Sequence, residues 1–170
     1  MNNDIVNIKA NSSIEDLSGK YLTFMLGEEE YGVPILKAQE IISMINMTRI
    51  PKTPDYVKGL INLRGSIIPV IDMRLKLGFE KQEYNERTCT VVGLVNFPNN
   101  TSATMGMIVD IVHEVVDISQ ENIDKNTMLG GSVDASFMLG IGHFNDKIIM
   151  LLDIDKIFSE DEMLQSVESE

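Results

Sequence analysis

At 170 residues the chain is long enough for one domain, or two very small ones, with a real hydrophobic core. Its 26 acidic side chains outnumber 14 basic ones, for a net charge of −12, of which residues 1–18 carry −2, residues 159–170 carry −5 and the rest −5; no basic groove able to neutralise several phosphates is legible, which argues against nucleic acid or an anionic membrane as the main partner. A single cysteine, Cys89, excludes an intramolecular disulfide and suits a reducing cytosol, the first residues lack the layout of a signal peptide, and no apolar run approaches the roughly 18 residues of a membrane span.

Residues 1–18 are rich in Asn, Ser and charge and read as a mostly disordered lead-in. From Tyr21 onward short apolar runs alternate with turn residues. Tyr21–Leu26, a turn at Gly27-Glu28-Glu29-Glu30, and Tyr31–Ile35 form a predicted hairpin. Further strands are expected at Gly59–Leu63, Ile67–Ile71, Thr88–Phe97, Ala103–Val109, Gly140–Phe144 and Lys147–Leu152. Short helical pieces fit Thr53–Gly59, with its proline near the start and closing glycine, and Asp72–Gly78, capped by Asp72. Ser159-Glu160-Asp161-Glu162 reads as a capping box opening a final helix. Many short strands with little helix give a mainly β protein.

An internal repeat organises these strands. Tyr31-Gly32-Val33-Pro34-Ile35 with Glu40-Ile41-Ile42 aligns with Met105-Gly106-Met107-Ile108-Val109 with Glu114-Val115-Val116, a shift of 74 residues. Tyr56-x-x-Gly59-Leu60 and Ile67-Ile68-x-Val70-Ile71-Asp72 align with Phe137-x-x-Gly140-Ile141 and Ile148-Ile149-x-Leu151-Leu152-Asp153, a shift of 81. A duplicated unit of about five short strands suits a small barrel that hides its own edges, so two such barrels side by side are the expected architecture.

The repeat sets Arg64-Gly65 opposite Asn145-Asp146, a pair suited to a tight hairpin turn. Arg64 therefore belongs to a turn. It is either a solvated turn arginine or a planar fork held at a rim for a partner's carboxylate.

A search for catalytic constellations finds none. His113 and His143 share no metal-ligand spacing with each other or with Cys89 and read as structural; no phosphate-binding glycine loop or nucleophile elbow is present, and Asp153 reads as a helix cap. A binding module without cofactors is the reading, with an orphan enzyme as a rival. Met128-Leu129, beside Gly130-Gly131, is a candidate apolar contact.

The run Arg49-Ile50-Pro51-x-x-Pro54-x-x-Val57-x-Gly59-Leu60-Ile61-Asn62-Leu63-Arg64-Gly65-x-Ile67-Ile68-Pro69-Val70-Ile71-Asp72-x-Arg74 resembles the signature of the CheW-like family of bacterial chemotaxis coupling proteins. So do Tyr31-Gly32-Val33-x-Ile35-x-x-Ala38-x-Glu40-Ile41 and Gly106-x-x-Val109-Asp110-x-Val112, and the likeness spans about residues 19–160. It implies two five-stranded SH3-like barrels sharing an apolar core: subdomain 1 over about 19–84 with some exchange from the C-terminal strand, subdomain 2 over about 85–155, and an acidic C-terminal helix or tail over 159–170. It implies a non-enzymatic, cytoplasmic adaptor between the tips of methyl-accepting chemotaxis receptors and the histidine kinase CheA, brought to membrane arrays by its partners, with other copies of its own kind in array rings as further candidate partners. By motif match the receptor-facing residues are Ala38, Glu40, Gly59, Arg64 and Val115, with Gly59 also a clearance requirement. The kinase-facing residues are Asp124, Met128 and Leu129. The alternative is a small-ligand or nucleic-acid module on SH3- or OB-like barrels, against which the acidic balance speaks.

Overall fold

The computed structural model describes residues 16–125 and 133–158. In chain order they form β1 (Gly19–Leu26), β2 (Glu29–Pro34), β3 (Ala38–Ser43), β4 (Val57–Leu63), β5 (Ser66–Asp72), helix α1 (Met73–Lys76), β6 (Cys89–Asn96), β7 (Ser102–Val109), β8 (Ile111–Ile118), β9 (Ile123–Asp124), β10 (Met138–Phe144), β11 (Lys147–Leu152) and helix α2 (Ile154–Ile157). The mainly β class holds, and every expected strand is present. Asp72 caps α1 by accepting from the Arg74 N–H at 2.9 Å, and Asp153 caps α2 by accepting from the Asp155 N–H at 3.1 Å, as their types suggest.

Three expectations change. The segment at Thr53–Gly59 is not a helix: the Val57 N–H closes a turn on the Pro54 carbonyl at 3.0 Å, and β4 starts at once. Pairing of β4 with β5 satisfies more backbone groups than one helical turn could. Strands β3 and β8 were not expected. β3 opens Ala-Gln-Glu, poor strand formers, but alternates half-buried and exposed residues as a sheet-edge strand does. Residues 16–18 are not loose either: Leu17 is buried, its N–H donates to Gln120 Oε1 at 2.8 Å, and its carbonyl accepts from the Tyr21 hydroxyl at 2.6 Å. The predicted final helix at 159–162 lies outside the described residues.

The duplication is visible in the backbone. Gly32 pairs in parallel with Leu151, and its counterpart Gly106 with Val70. The Tyr56 carbonyl accepts from the Asp72 N–H and the Phe137 carbonyl from the Asp153 N–H, both at 2.8 Å. The two hairpin turns match as well: Arg64 and Gly65 have φ of 51° and 88°, and Asn145 and Asp146 have 47° and 63°. Positive φ at both central residues is the turn whose twist suits a two-residue hairpin.

The sheets are not dealt out by halves of the chain. One has six strands in the order β8-β1-β2-β11-β10-β9, the other five in the order β3-β6-β7-β5-β4. The first hairpin of each half, β1-β2 or β6-β7, sits among strands of the other half, so the exchange is reciprocal and wider than that of a single C-terminal strand. The crossings are short: one helical turn at Ile35–Lys37 between β2 and β3, and Asp110 alone between β7 and β8.

Side chains alternate across each strand, so one sheet can serve two cores. Ile149 and Leu151 face a small cluster with Tyr21, Val116 and Ile118, whereas Met150 and Leu152 face the large central cluster. In the five-stranded sheet Ile61, Ile68, Val70, Val92 and Ile108 form a second small cluster, while Ile71, Val91, Met105 and Met107 join the central one. Each sheet thus curves about its own core and turns its other face to a shared core, where Phe24 and Tyr31 stack at 6.2 Å.

Candidate functional site

The site grows from the β4-β5 hairpin. Gly65 N–H donates to Asn62 Oδ1 at 2.9 Å, and Arg64 takes the left-handed conformation beside it. That conformation favours Gly, Asn or Asp, as the matched turn Asn145-Asp146 shows, so the turn gives no reason for an arginine. The reason lies in the side chain, which crosses to Glu40 on β3. Nη1 donates to Glu40 Oε2 at 3.2 Å and Nη2 donates to Oε1, a two-pronged pair. β3 and β4 are opposite edges of the five-stranded sheet, so the sheet curls far enough for a residue beyond one edge to meet a residue of the other.

This pair is open to solvent on one side. The Arg64 side chain is 71% exposed and that of Glu40 30%. The hydrogen bond from Arg64, with its charge, holds the Glu40 carboxyl below the usual range; the same pairing raises Arg64, which stays cationic. Two N–H groups engage Glu40, leaving the remaining guanidinium donors for a partner.

The other motif-derived residues divide by location. Ala38 opens β3 and packs partly against the central core, separated from Glu40 by a register shift in the pairing with β6. Val115 lies on β8, the edge of the other sheet, and is 48% exposed; its repeat counterpart Ile41 on β3 is 47% exposed. Gly59 is buried in β4, where an added Cβ would stand 2.4 Å from the Thr48 carbonyl oxygen. Its position supports the clearance role and not surface contact. Asp124 is exposed on β9, which pairs with β10, and its carbonyl lies against Gly140. Met128 and Leu129 lie outside the described residues.

Sequence reasoning passed over several exposed apolar side chains: Ile41 and Ile67 on the five-stranded sheet, and Ile148, the counterpart of Ile67, on the other. The available signal was the repeat, which aligns Ile41 with Val115 and Ile67 with Ile148. The last arginine of the long motif has the opposite fate to Arg64. Arg74 on α1 is largely buried and clasps Asp110 through Nε at 2.8 Å and Nη2 at 2.7 Å, while Asp110 also accepts from the Gly27 N–H at 2.7 Å. One carboxylate therefore ties α1, the β7-β8 crossing and the β1-β2 turn together.

The remaining chemistry is structural. His113 Nδ1 lies 2.8 Å from the buried Glu30 carboxylate, and burial pushes the Cys89 thiol upward, away from the reactive thiolate. Among the described residues, no group of three or more His, Cys, Asp or Glu side chains is arranged to hold a metal ion, and no helix is long and apolar enough to cross a membrane.

Two interleaved sheets around a shared core, with an ion-paired arginine held out at a hairpin rim, define a small all-β interaction module. Residues 20–162 match the family model of the CheW-like domain, and the chain belongs to that family, a group of chemotaxis scaffold and adaptor proteins. It is 37% identical over 149 residues to the chemotaxis protein CheW of Klebsiella aerogenes, covering 88% of this chain and 87% of that one. It is 34% identical over 144 residues to the chemotaxis protein CheW of Helicobacter pylori, covering 84% and 82%. Among solved structures it is similar to the scaffolding protein TtCheW of Thermoanaerobacter tengcongensis, with a TM-score of 0.75, 32% identity, and coverage of 86% of this chain and 96% of that one.

Proposed function

We propose that this chain is a non-enzymatic adaptor that couples methyl-accepting chemotaxis receptors to the histidine kinase CheA. The observation that carries the reading is Arg64, held at a solvent-facing hairpin turn by a fork onto Glu40, at the motif position where the family resemblance expects receptor contact. A helical receptor tip seated beside this rim offers carboxylates and amides to the free guanidinium donors, and exposed Ile41 and Val115 offer apolar contact on the two sheets. Because Arg64 is already paired, docking exchanges one charge-assisted contact for another. Such an exchange contributes orientation and discrimination more than net affinity. Ala38 lies on the same strand as Glu40, and Gly59, at the register shift between β4 and β5, leaves room for Thr48 against the strand that leads to Arg64.

The kinase contact is assigned to the segment from Asp124 through Met128 and Leu129, with the leucine as apolar anchor. In this reading the protein is cytoplasmic and reaches the membrane arrays through its partners, further copies of its own kind among them. The test is a pull-down in which the immobilised full chain is offered purified CheA and a receptor cytoplasmic fragment, separately and together. Retention of both is expected. Retention of neither overturns the adaptor reading and returns the small-ligand module to the front.

A further inference from the structure

In a chain of net charge −12, four of the 14 basic side chains line a single cleft of about 500 Å³: Arg49, Lys52, Lys58 and Lys81. The first three belong to the β3-β4 connection and the start of β4, and Lys81 to the α1-β6 connection, so the fold gathers what the sequence scatters. Asp55 is the one carboxylate among the described lining residues. None of the four cations has an ion-pair partner among the described residues, unlike Lys20, Lys37, Arg64 and Arg74, which all do. Cations gathered without counter-charges repel one another, and an anionic occupant relieves that repulsion.

The backbone that carries these cations is fixed in advance. On one wall the Thr48 N–H donates to the Leu60 carbonyl at 2.8 Å, the Thr53 hydroxyl donates to the Ile50 carbonyl at 2.9 Å, and the Val57 N–H donates to the Pro54 carbonyl at 3.0 Å. On the other the Phe79 N–H donates to the Arg74 carbonyl at 2.7 Å, and Arg74 Nη1 donates to the Glu80 carbonyl at 3.4 Å, next to Lys81. Lys52 has φ of 62°, a conformation that favours Gly, Asn or Asp, so here as at Arg64 the turn gives no reason for the residue and its side chain supplies one. The cleft is also lined by Ile50, Pro54, Val57 and Leu75, apolar side chains that a bare inorganic anion cannot use.

We propose that this cleft docks a short acidic segment of a partner protein, one that carries apolar side chains among its carboxylates. A long polyanion such as nucleic acid or an anionic membrane extends well past four cations and meets a surface whose net charge is strongly negative. A short segment instead sets several carboxylates among the cations and an apolar side chain against Pro54 or Leu75. Exposed charge pairs hold weakly one by one, so the contact is modest in affinity and sensitive to salt. Lys58 and Arg64 stand at opposite ends of β4, roughly 20 Å apart along the strand, so a partner seated here leaves the Arg64 rim open.

Fluorescence anisotropy with the full chain and a fluorescein-labelled peptide, Glu-Glu-Leu-Glu-Glu-Leu, tests this. At about 50 mM salt saturable binding is expected, several-fold weaker at about 500 mM and lost when glutamine replaces each glutamate of the peptide. The double variant Lys52→Glu, Lys81→Glu changes two exposed side chains, should keep its melting temperature, and should weaken binding several-fold. Lys20→Glu with Lys147→Glu changes the net charge equally outside the cleft and should leave most of the affinity. Absence of binding, or an equal loss in the two double variants, overturns the inference. So does displacement of the peptide by inorganic phosphate at matched ionic strength, which would make the cleft a small-anion site. Capture of the chain by phosphatidylserine vesicles, reversed by the peptide, would make it a membrane contact and also overturns the inference. Receptor-fragment capture by Lys52→Glu, Lys81→Glu should be unchanged, and its loss would make the cleft part of the receptor surface and overturn it as a separate site.

Discussion

Replacing Gly59 by alanine separates two readings of that residue. The resemblance to the CheW-like family places it among receptor-facing residues, whereas the structure buries it under the chain that precedes β4. An added Cβ would stand 2.4 Å from the Thr48 carbonyl oxygen and 2.9 Å from its carbon, and Gly59 has φ of +148°, a conformation that other residues rarely adopt. Thr48 cannot withdraw freely, because its N–H donates to the Leu60 carbonyl and its carbonyl accepts from the Leu60 N–H, both at 2.8 Å. Losing the two bonds costs about 1 kcal/mol each, and backbone strain adds about 1–3 kcal/mol. The total, roughly 3–5 kcal/mol, lowers the melting temperature of a chain this size by about 10 °C. Thermal melts followed by circular dichroism measure it, with receptor-fragment retention assayed well below the variant's transition. The expected result is a large drop in Tm with receptor capture largely kept. Gly140→Ala serves as internal comparison: its Cβ would stand 2.9 Å from the Asp124 carbonyl oxygen without a positive φ, so its drop should be smaller. An unchanged Tm for Gly59→Ala together with lost capture would refute the clearance argument and restore Gly59 as a contact residue.

Arg64→Ala should reduce receptor retention at least several-fold with little change in Tm, since its partner Glu40 is met at the surface; Arg64→Lys should recover part of it at best, because a point charge cannot fork onto two oxygens. Asp110→Asn leaves Arg74 largely buried without its counter-charge and should cost roughly 2–4 kcal/mol, read in urea denaturation as a lower midpoint. Asp153→Asn keeps a capping side chain on α2 and removes a carboxylate whose pKa burial raises. A carboxylate raised by folding destabilises the native state above its folded pKa, so the variant should melt higher at pH 7. That gain should shrink as pH falls through the folded pKa and vanish below the unfolded value of about 3.9, which a series of melts from pH 7 to pH 3 checks. A constant gain across that range would assign the effect to packing instead.

Much of this protein is written locally in its sequence. Alternating apolar runs, the two matched hairpin turns, and the capping aspartates Asp72 and Asp153 each depend on residues a few positions apart, and all are where the sequence puts them. The duplication was legible for the same reason, because each copy repeats the same local demands. The long motif named the family. Strand β3 escaped because its opening residues are poor strand formers, and pairing with β6 supplies what propensity does not; β8, rich in Val and Ile, has the propensity but is set off from β7 by Asp110 alone, with no turn signal to mark a new strand.

The sequence by itself determined that Arg64 sits in a turn and that the turn does not need it. Only the tertiary structure decided what the arginine does: exchange of hairpins between halves sets β3 and β4 at opposite edges of one sheet, and its curl brings Glu40 within reach. The same holds for the fate of Arg74, clasped by an aspartate at a crossing between sheets, and for Gly59, whose need for space comes from Thr48. Turns, caps and alternation are set by neighbours along the chain. Ion pairs and clearances between distant strands depend on which strands share a sheet and how far that sheet bends, and no local pattern encodes either.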